Sequence, residues 1–226
     1  MGKRLKRFAK VCLLTAGTFG LGTLGVAAGG GGVHLQTAPI SLQDTASLQR
    51  GARLFVDYCY GCHSLKYIRY ERLVDDLKIP QEVVESQFIF EDKDVFAQMV
   101  NSAPAESQKK WFGVMPPDLT LEARLRSPDW IYSYLISFYP DPERPLGVNN
   151  KVFENVGMPH VMANYQADHT EEQFHQAMAD VTNFLTWASD PTKLKRENIG
   201  RWVLIFLAIL FIPVYFLNKE YWKDVK

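Results

Sequence analysis

Residues 59–63 read Cys59-Tyr60-Gly61-Cys62-His63. Two cysteines separated by two residues and followed at once by histidine match what covalent c-type haem attachment demands. The thiols add to the two vinyl groups of the macrocycle and the adjoining imidazole reaches the iron. A zinc or thioredoxin-like Cys-x-x-Cys is the competing reading. Against it, Cys12 is the sole other cysteine, so no second pair completes a zinc site, and no βαβ pattern surrounds the motif.

Upstream of the motif, Ser41-Leu42-Gln43-Asp44 has the form of a capping box, and Leu48, Ala52, Phe55, Cys59 and Cys62 recur at spacings of 4, 3, 4 and 3. That periodicity predicts a helix from Ser41 with both cysteines on its buried face. Gly51, one residue off the stripe, leaves room for another helix to approach. It reads equally as a weak point, since glycine inside a helix costs about 1 kcal/mol against alanine.

Downstream, Pro80 starts a short helix through Val83, Val84 and Phe88, and a second is expected around Val95, Met99 and Val100. Met115-Pro116-Pro117-Asp118-Leu119 must be extended, because each proline turns the residue before it away from helix. Such a segment, Pro117 included, can lie along a flat haem face; a surface loop also accounts for it. Ser127-Pro128 is an N-cap with proline in the first turn, and Ile131, Tyr134, Leu135 and Phe138 form the apolar face that follows. Arg124 and Arg126 just before it are candidate donors to haem propionates, an arginine fork suiting a carboxylate, or else solvated surface. Residues 139–147, with three prolines, read as a loop without regular structure.

That loop leads to Asn155-Val156-Gly157-Met158-Pro159-His160. In electron-transfer cytochromes the sixth iron ligand is usually a methionine thioether, which favours the ferrous state. Met158 is the leading candidate: Gly157 lets the backbone pass close to the ring and Pro159 keeps Met158 extended. Met115, Met162 and His160 compete with it. Thr170-Glu171-Glu172-Gln173 then caps a helix whose stripe is Phe174, Ala177, Met178, Val181, Phe184, Leu185 and Ala188, ending at Ser189-Asp190-Pro191. A helix before the motif and another closing the domain can cross and shield a cofactor, with Phe184 and Trp187 as part of the shield or as ordinary core.

The 226 residues hold 25 basic and 25 acidic side chains, yet the zero formal charge is segregated. Lys3, Arg4, Lys6, Arg7 and Lys10 open the chain, and seven basic against three acidic residues lie from Lys193 to Lys226. Residues 29–192 are left with 13 basic and 22 acidic groups, a net −9. Residues 1–28, basic and then apolar and ending Val26-Ala27-Ala28, read as an export signal, with an uncleaved membrane helix as the alternative. Residues 29–40 read as a linker opened by Gly29 to Gly32, and 41–192 as the haem domain. From Trp202 to Leu217 no charge occurs. With Ile199 and Gly200 extending the span, and Arg201 and Lys219 able to snorkel, 199–218 is expected to cross a membrane, Tyr221 and Trp222 lying at the interface. A buried helix of a soluble core is the bland alternative. Export and haem attachment together place the head outside and leave 219–226 as a cytoplasmic tail.

Taken in order, the haem motif, Trp111-Phe112-Gly113 before Pro116-Pro117-Asp118-Leu119, Arg124 and Arg126, Gly147-Val148-Asn149-Asn150, Asn155 to His160, Phe184-Leu185-Thr186-Trp187-Ala188 and a single C-terminal apolar span resemble cytochrome c1 in its bacterial form. The resemblance covers nearly everything from His34 onward. It implies a mainly α fold, a class I cytochrome c-like haem domain with a C-terminal transmembrane helix in the bacterial inner membrane and its head in the periplasm. It implies a redox subunit of the quinol:cytochrome c oxidoreductase, complex III, with one haem c. Electrons would come from a Rieske iron–sulfur protein beside cytochrome b and go to a soluble or tethered c-type cytochrome, a basic one given the −9 head; no nucleic-acid partner is expected. Residue by residue, it implies thioethers at Cys59 and Cys62, iron ligation by His63 and Met158, and a propionate contact at Arg126. Two departures from the mitochondrial form are a shorter stretch between the motif and Pro116, and His160 in place of proline. A haem peroxidase and a tethered cytochrome serving a terminal oxidase are the other functional classes.

Overall fold

The computed structural model describes residues 33–90 and 92–224, so the stretch read as an export signal and the Gly29–Gly32 spacer lie outside the described residues. In chain order the elements are α1 (Thr45–Tyr58), β1 (Leu65–Arg69), α2 (Glu71–Asp75), α3 (Gln81–Gln87), β2 (Gln98–Met99), α4 (Ala105–Phe112), α5 (Glu122–Leu125), α6 (Pro128–Leu135), β3 (Phe138–Pro140), β4 (Val148–Asn150), α7 (Ala163–Asp168), α8 (Glu171–Ser189) and α9 (Lys193–Tyr221). The fold is mainly helical, as expected. Its strands form two short antiparallel ribbons, β1 with β2 and β3 with β4.

Helix α1 packs on α8, and the reason is legible at Gly51. A Cβ there would lie 2.0 Å from the Asp180 carbonyl oxygen and 2.8 Å from Phe184 Cβ, so only glycine admits this approach. Around the contact, Phe55 meets Phe184 at 5.6 Å and the Arg50 guanidinium grips the buried Asp180 carboxylate at 2.6 and 3.0 Å. The α8 stripe is buried along its full length, and the Thr170–Gln173 capping box forms as predicted. Helices α5 and α6 pack on the same helix.

Three expectations shift. Helix α1 begins at Thr45 rather than Ser41, because the Asp44 carboxylate, not Ser41, accepts the Ser47 N–H. No helix forms around Val95 to Val100; Met99, wholly buried, pairs with Leu65 of β1. A run of apolar residues that short does not distinguish strand from helix by periodicity, and the partner strand decides it. Tyr139 and Pro140 are likewise paired, to Asn149 and Val148, so the loop is a hairpin turning through Gly147 at φ +70°. Ahead of α1, Gln36 and Ala38 donate backbone N–H bonds to Ser133 Oγ and Asp129 of α6, strapping 36–38 onto the domain.

Helix α9 runs 29 residues, roughly 43 Å at 1.5 Å per residue, and is long and apolar enough to cross a bilayer. Its most apolar window has mean hydropathy 2.2 and none of it is buried. Asp190, capping α8, joins the two parts: Arg196 of α9 binds it at 2.7 Å and Arg124 of α5 reaches it at 3.6 Å. The hydrogen-bonded Arg196 guanidinium holds the Asp190 carboxyl below the usual carboxylate range, against a smaller opposing effect of burial.

Replacing Gly51 by valine forces a Cβ against a backbone carbonyl. Overpacking of this kind costs about 1–3 kcal/mol, so thermal unfolding of the full chain in detergent, followed by circular dichroism, is expected to fall by several degrees; an unchanged midpoint would mean that the helices separate freely. Because the native pKa of Asp190 is depressed, its stabilisation is complete above the unfolded value of about 4 and is lost as pH falls through the native one. Asp190→Asn therefore flattens the acid limb of the stability profile, and an acid limb identical to that of the parent chain contradicts the coupling.

Candidate functional site

The end of α1 delivers the cysteine motif. The Cys59 N–H closes the helix on Phe55 O at 2.8 Å, and the Cys59 carbonyl then receives the N–H of Cys62 at 3.1 Å and of His63 at 2.9 Å. Both cysteines therefore sit past the helix, in a turn, rather than on its stripe. Tyr60 anchors this turn from below, its hydroxyl bonded to Tyr70 at 2.7 Å and to the Val100 carbonyl at 2.8 Å. Cys59 is buried and Cys62 partly so, and neither is in a disulfide. Burial, aided by the neighbouring Cys62, pushes the Cys59 thiol up to about 12.

His63 is oriented by the Pro117 carbonyl, 2.7 Å from Nδ1. A carbonyl can only accept, so Nδ1 carries the hydrogen and Nε2 keeps its lone pair. Burial lowers the proton affinity of this imidazole, outweighing the Pro117 bond and the Glu122 and Asp118 charges. It is thus a neutral ring with a free nitrogen, as a metal ligand must be. Pro117 is itself held in place, since Leu119 N–H bonds Ser64 O at 2.9 Å and Asp118 accepts Lys66 N–H at 2.8 Å.

Cys59, Cys62, His63, Pro117, Arg126 and Met158 all line one cavity of about 320 Å³. Its walls are mostly carbon, from Val114, Leu119, Ile131, Val181 and Leu185 among others. Of the competing axial candidates, Met115 is exposed, Met162 is packed in the core, and His160 stacks on Phe138 at 4.8 Å with Nε2 on Gln166 at 2.8 Å; none of the three lines the cavity. Gly157 makes a different close approach than expected. A Cβ there would meet Val114 Cγ2 at 3.1 Å, so the glycine lets the Met158 loop nest against 112–114. The two arginines part company: Arg124 turns to Asp190, whereas Arg126 lies over Trp130 at 4.4 Å and pairs with Glu122 at 3.1 Å. Phe184 and Trp187 stack on each other in the core, and the cavity wall from α8 is instead Val181 and Leu185.

Sequence reasoning gave Asn149 and Asn150 no role, yet they hold the loop. Asn150, fully buried, donates from Nδ2 to Tyr134 O at 2.7 Å and accepts at Oδ1 from the N–H groups of Val152 and Phe153. Asn149 Oδ1 accepts from Asn155 N–H at 3.0 Å while its amide donates to Asp141 at 2.9 Å. Asn155 itself takes the left-handed conformation at φ +60°, which asparagine tolerates. Tyr134 was read only as apolar; its hydroxyl lies 3.4 Å from Met158 Sδ. Adjacent asparagines after a turn glycine were the available signal for the first pair, and nothing in the sequence marked the second contact.

A family model described as the Cytochrome C1 family matches residues 36–225. The chain belongs to that family. It is 46% identical to a cytochrome c1 of Allochromatium vinosum, covering 88% of this chain and 92% of that one. It is also 34% identical to a Nitrosomonas europaea protein described as an ammonia monooxygenase gamma subunit, over 85% and 89% of the two chains, and 28% identical to the mitochondrial cytochrome c1 haem protein of Saccharomyces cerevisiae, over 83% and 70%. As a member of this family it carries one covalently bound haem c and is an electron-transfer subunit of the quinol:cytochrome c oxidoreductase, an assembly with cytochrome b and a Rieske iron–sulfur protein, anchored in the membrane. Two thiols, a neutral imidazole with a free nitrogen, a thioether and a guanidinium around an apolar hollow are a donor set that fits such a haem.

Truncating Asn150 to alanine strands a carbonyl and two N–H groups, and each buried unsatisfied group costs about 1–3 kcal/mol. Chemical denaturation of the Asn150→Ala chain is expected to show a loss of at least that size, and a loss below half a kcal/mol would assign the loop's anchoring elsewhere.

Proposed function

We propose that Cys59 and Cys62 would carry the haem thioethers, that His63 Nε2 and Met158 Sδ would ligate its iron, and that Arg126 and the Pro117 backbone would contact the cofactor's periphery. The observation that carries this reading is that these six residues, scattered from 59 to 158, converge on one apolar cavity. Each thiol would supply the sulfur of one thioether, its hydrogen ending on the neighbouring vinyl carbon. His63 is held by Pro117 so that it presents the nitrogen able to coordinate. Arg126, stacked on Trp130 and facing Glu122, brings a fixed positive charge to the cavity wall, where a propionate can share or displace the glutamate. Bound in this way, haem supplies a one-electron couple at iron. With His63 and Met158 both given to iron, the chain would carry electrons without bond chemistry of its own, unlike a peroxidase.

The organisation that goes with this reading is an export signal in 1–28, a linker over 29–40, a periplasmic haem domain over 41–192, a span over 199–218 and a cytoplasmic tail of 219–226. The Rieske protein reduces the centre and a soluble or tethered c-type cytochrome, basic in character, oxidises it. The net −9 of the head supports that choice, because opposite charge steers encounter at a rate that salt weakens.

Replacing Met158 with leucine is expected to abolish the near-infrared thioether-to-iron charge-transfer band and lower the midpoint potential; an unaltered band rules Met158 out as ligand. Electron transfer to a basic acceptor is expected to slow several-fold from low to high ionic strength, and a flat profile removes the steering. Purification in mild detergent should recover cytochrome b and the Rieske protein with the chain, whereas recovery with a terminal oxidase alone selects the tethered-cytochrome alternative.

A further inference from the structure

Among the described residues, Tyr134 is the side chain that hydrogen-bonds the Met158 thioether, and its surroundings fix it there. Its ring is stacked on Trp130 at 5.1 Å and 11°, and the edge of Phe138 meets it at 5.2 Å. Its carbonyl is held by Asn150, the same residue that ties down the start of the Met158 loop. Its hydroxyl, 3.4 Å from Met158 Sδ, is within hydrogen-bonding range of sulfur. A phenol hydroxyl, with its ordinary pKa of about 10, is a hydrogen-bond donor at neutral pH. A thioether sulfur has two lone pairs, and only one is needed by a metal.

We propose that Tyr134 is a positioning and tuning residue: its hydroxyl donates to the second lone pair of Met158 Sδ, holds the sulfur in the cavity and withdraws electron density from it. A thioether that gives less density to ferric iron favours the ferrous state, so the bond raises the reduction potential, the lever by which hydrogen bonding to a ligand acts. The column Arg126–Trp130–Tyr134 extends this effect, since the guanidinium over Trp130 places a positive charge along the same stack. The inference rests on Met158 being an iron ligand.

The test uses the full haem-loaded chain in detergent, with midpoint potential and the near-infrared thioether band read together. Tyr134→Phe keeps the ring and its stacking and removes only the hydroxyl; the midpoint is expected to fall while the band persists at shifted energy. A ring-fluorinated tyrosine at position 134, a stronger donor, is expected to raise the midpoint. Packing alone predicts no such ordering. An unmoved midpoint in the phenylalanine variant, or a shift of both variants in the same direction, overturns the inference while leaving Met158 ligation intact. Absence of the band from the parent chain overturns the ligation and this inference together. If Tyr134→Phe does not fold, the fluorinated chain decides alone: a midpoint that does not rise overturns the proposal.

Discussion

The backbone-to-backbone approach at Gly51 governs where everything else can go. With α1 seated directly on the Asp180 carbonyl, the C-terminal end of α1 is carried to a defined height along α8, and the Cys59–His63 turn emerges beside Val181 and Leu185. The Arg50–Asp180 pair follows from the same closeness: Asp180 is almost wholly enclosed, and its carboxylate is held by the half-exposed Arg50 guanidinium on both oxygens and by Gln176 on Oδ1. Removing the glycine would move the cysteine turn away from the wall of its own cavity.

From that base the cavity is closed by three segments without regular structure, each held by hydrogen bonds rather than by helix or sheet. The proline stretch is pinned to 64–66 and turns its carbonyl on His63. The Phe112–Val114 turn nests against Gly157. The Met158 loop hangs from Asn149 and Asn150. Irregular backbone of this kind must satisfy its polar groups individually, which is why two buried asparagines at the end of β4 anchor the Met158 loop. The result is an apolar hollow with few polar groups, several of them held by specific hydrogen bonds.

The head and the apolar helix are joined electrostatically as well as covalently. Asp190 lies where α8 ends and receives Arg196 from α9 and Arg124 from α5, so a single carboxylate links the haem-side helices to the start of the span. Thus one of the two arginines expected to face the cofactor serves the anchor instead, and the other, stacked on Trp130, serves the cavity.

Periodicity and chemistry along the chain were enough to establish the haem motif, the full stripe of α8 with its capping box, the proline-initiated helix at Pro128 and the apolar span, because each of these is decided by contacts within a few residues. The cysteine spacing likewise identified the cofactor, since the haem's own geometry imposes it. Four things were decided only by the fold: that Met99 pairs as strand, that Met158 rather than Met115, Met162 or His160 reaches the cavity, that Arg126 and not Arg124 lines it, and that the Tyr134 hydroxyl meets a sulfur. In each case the outcome depends on a partner far along the chain, and local sequence carries no information on which residues will be brought close to it. That selection is made by packing, where a glycine admits one helix pair and a buried asparagine admits one loop path.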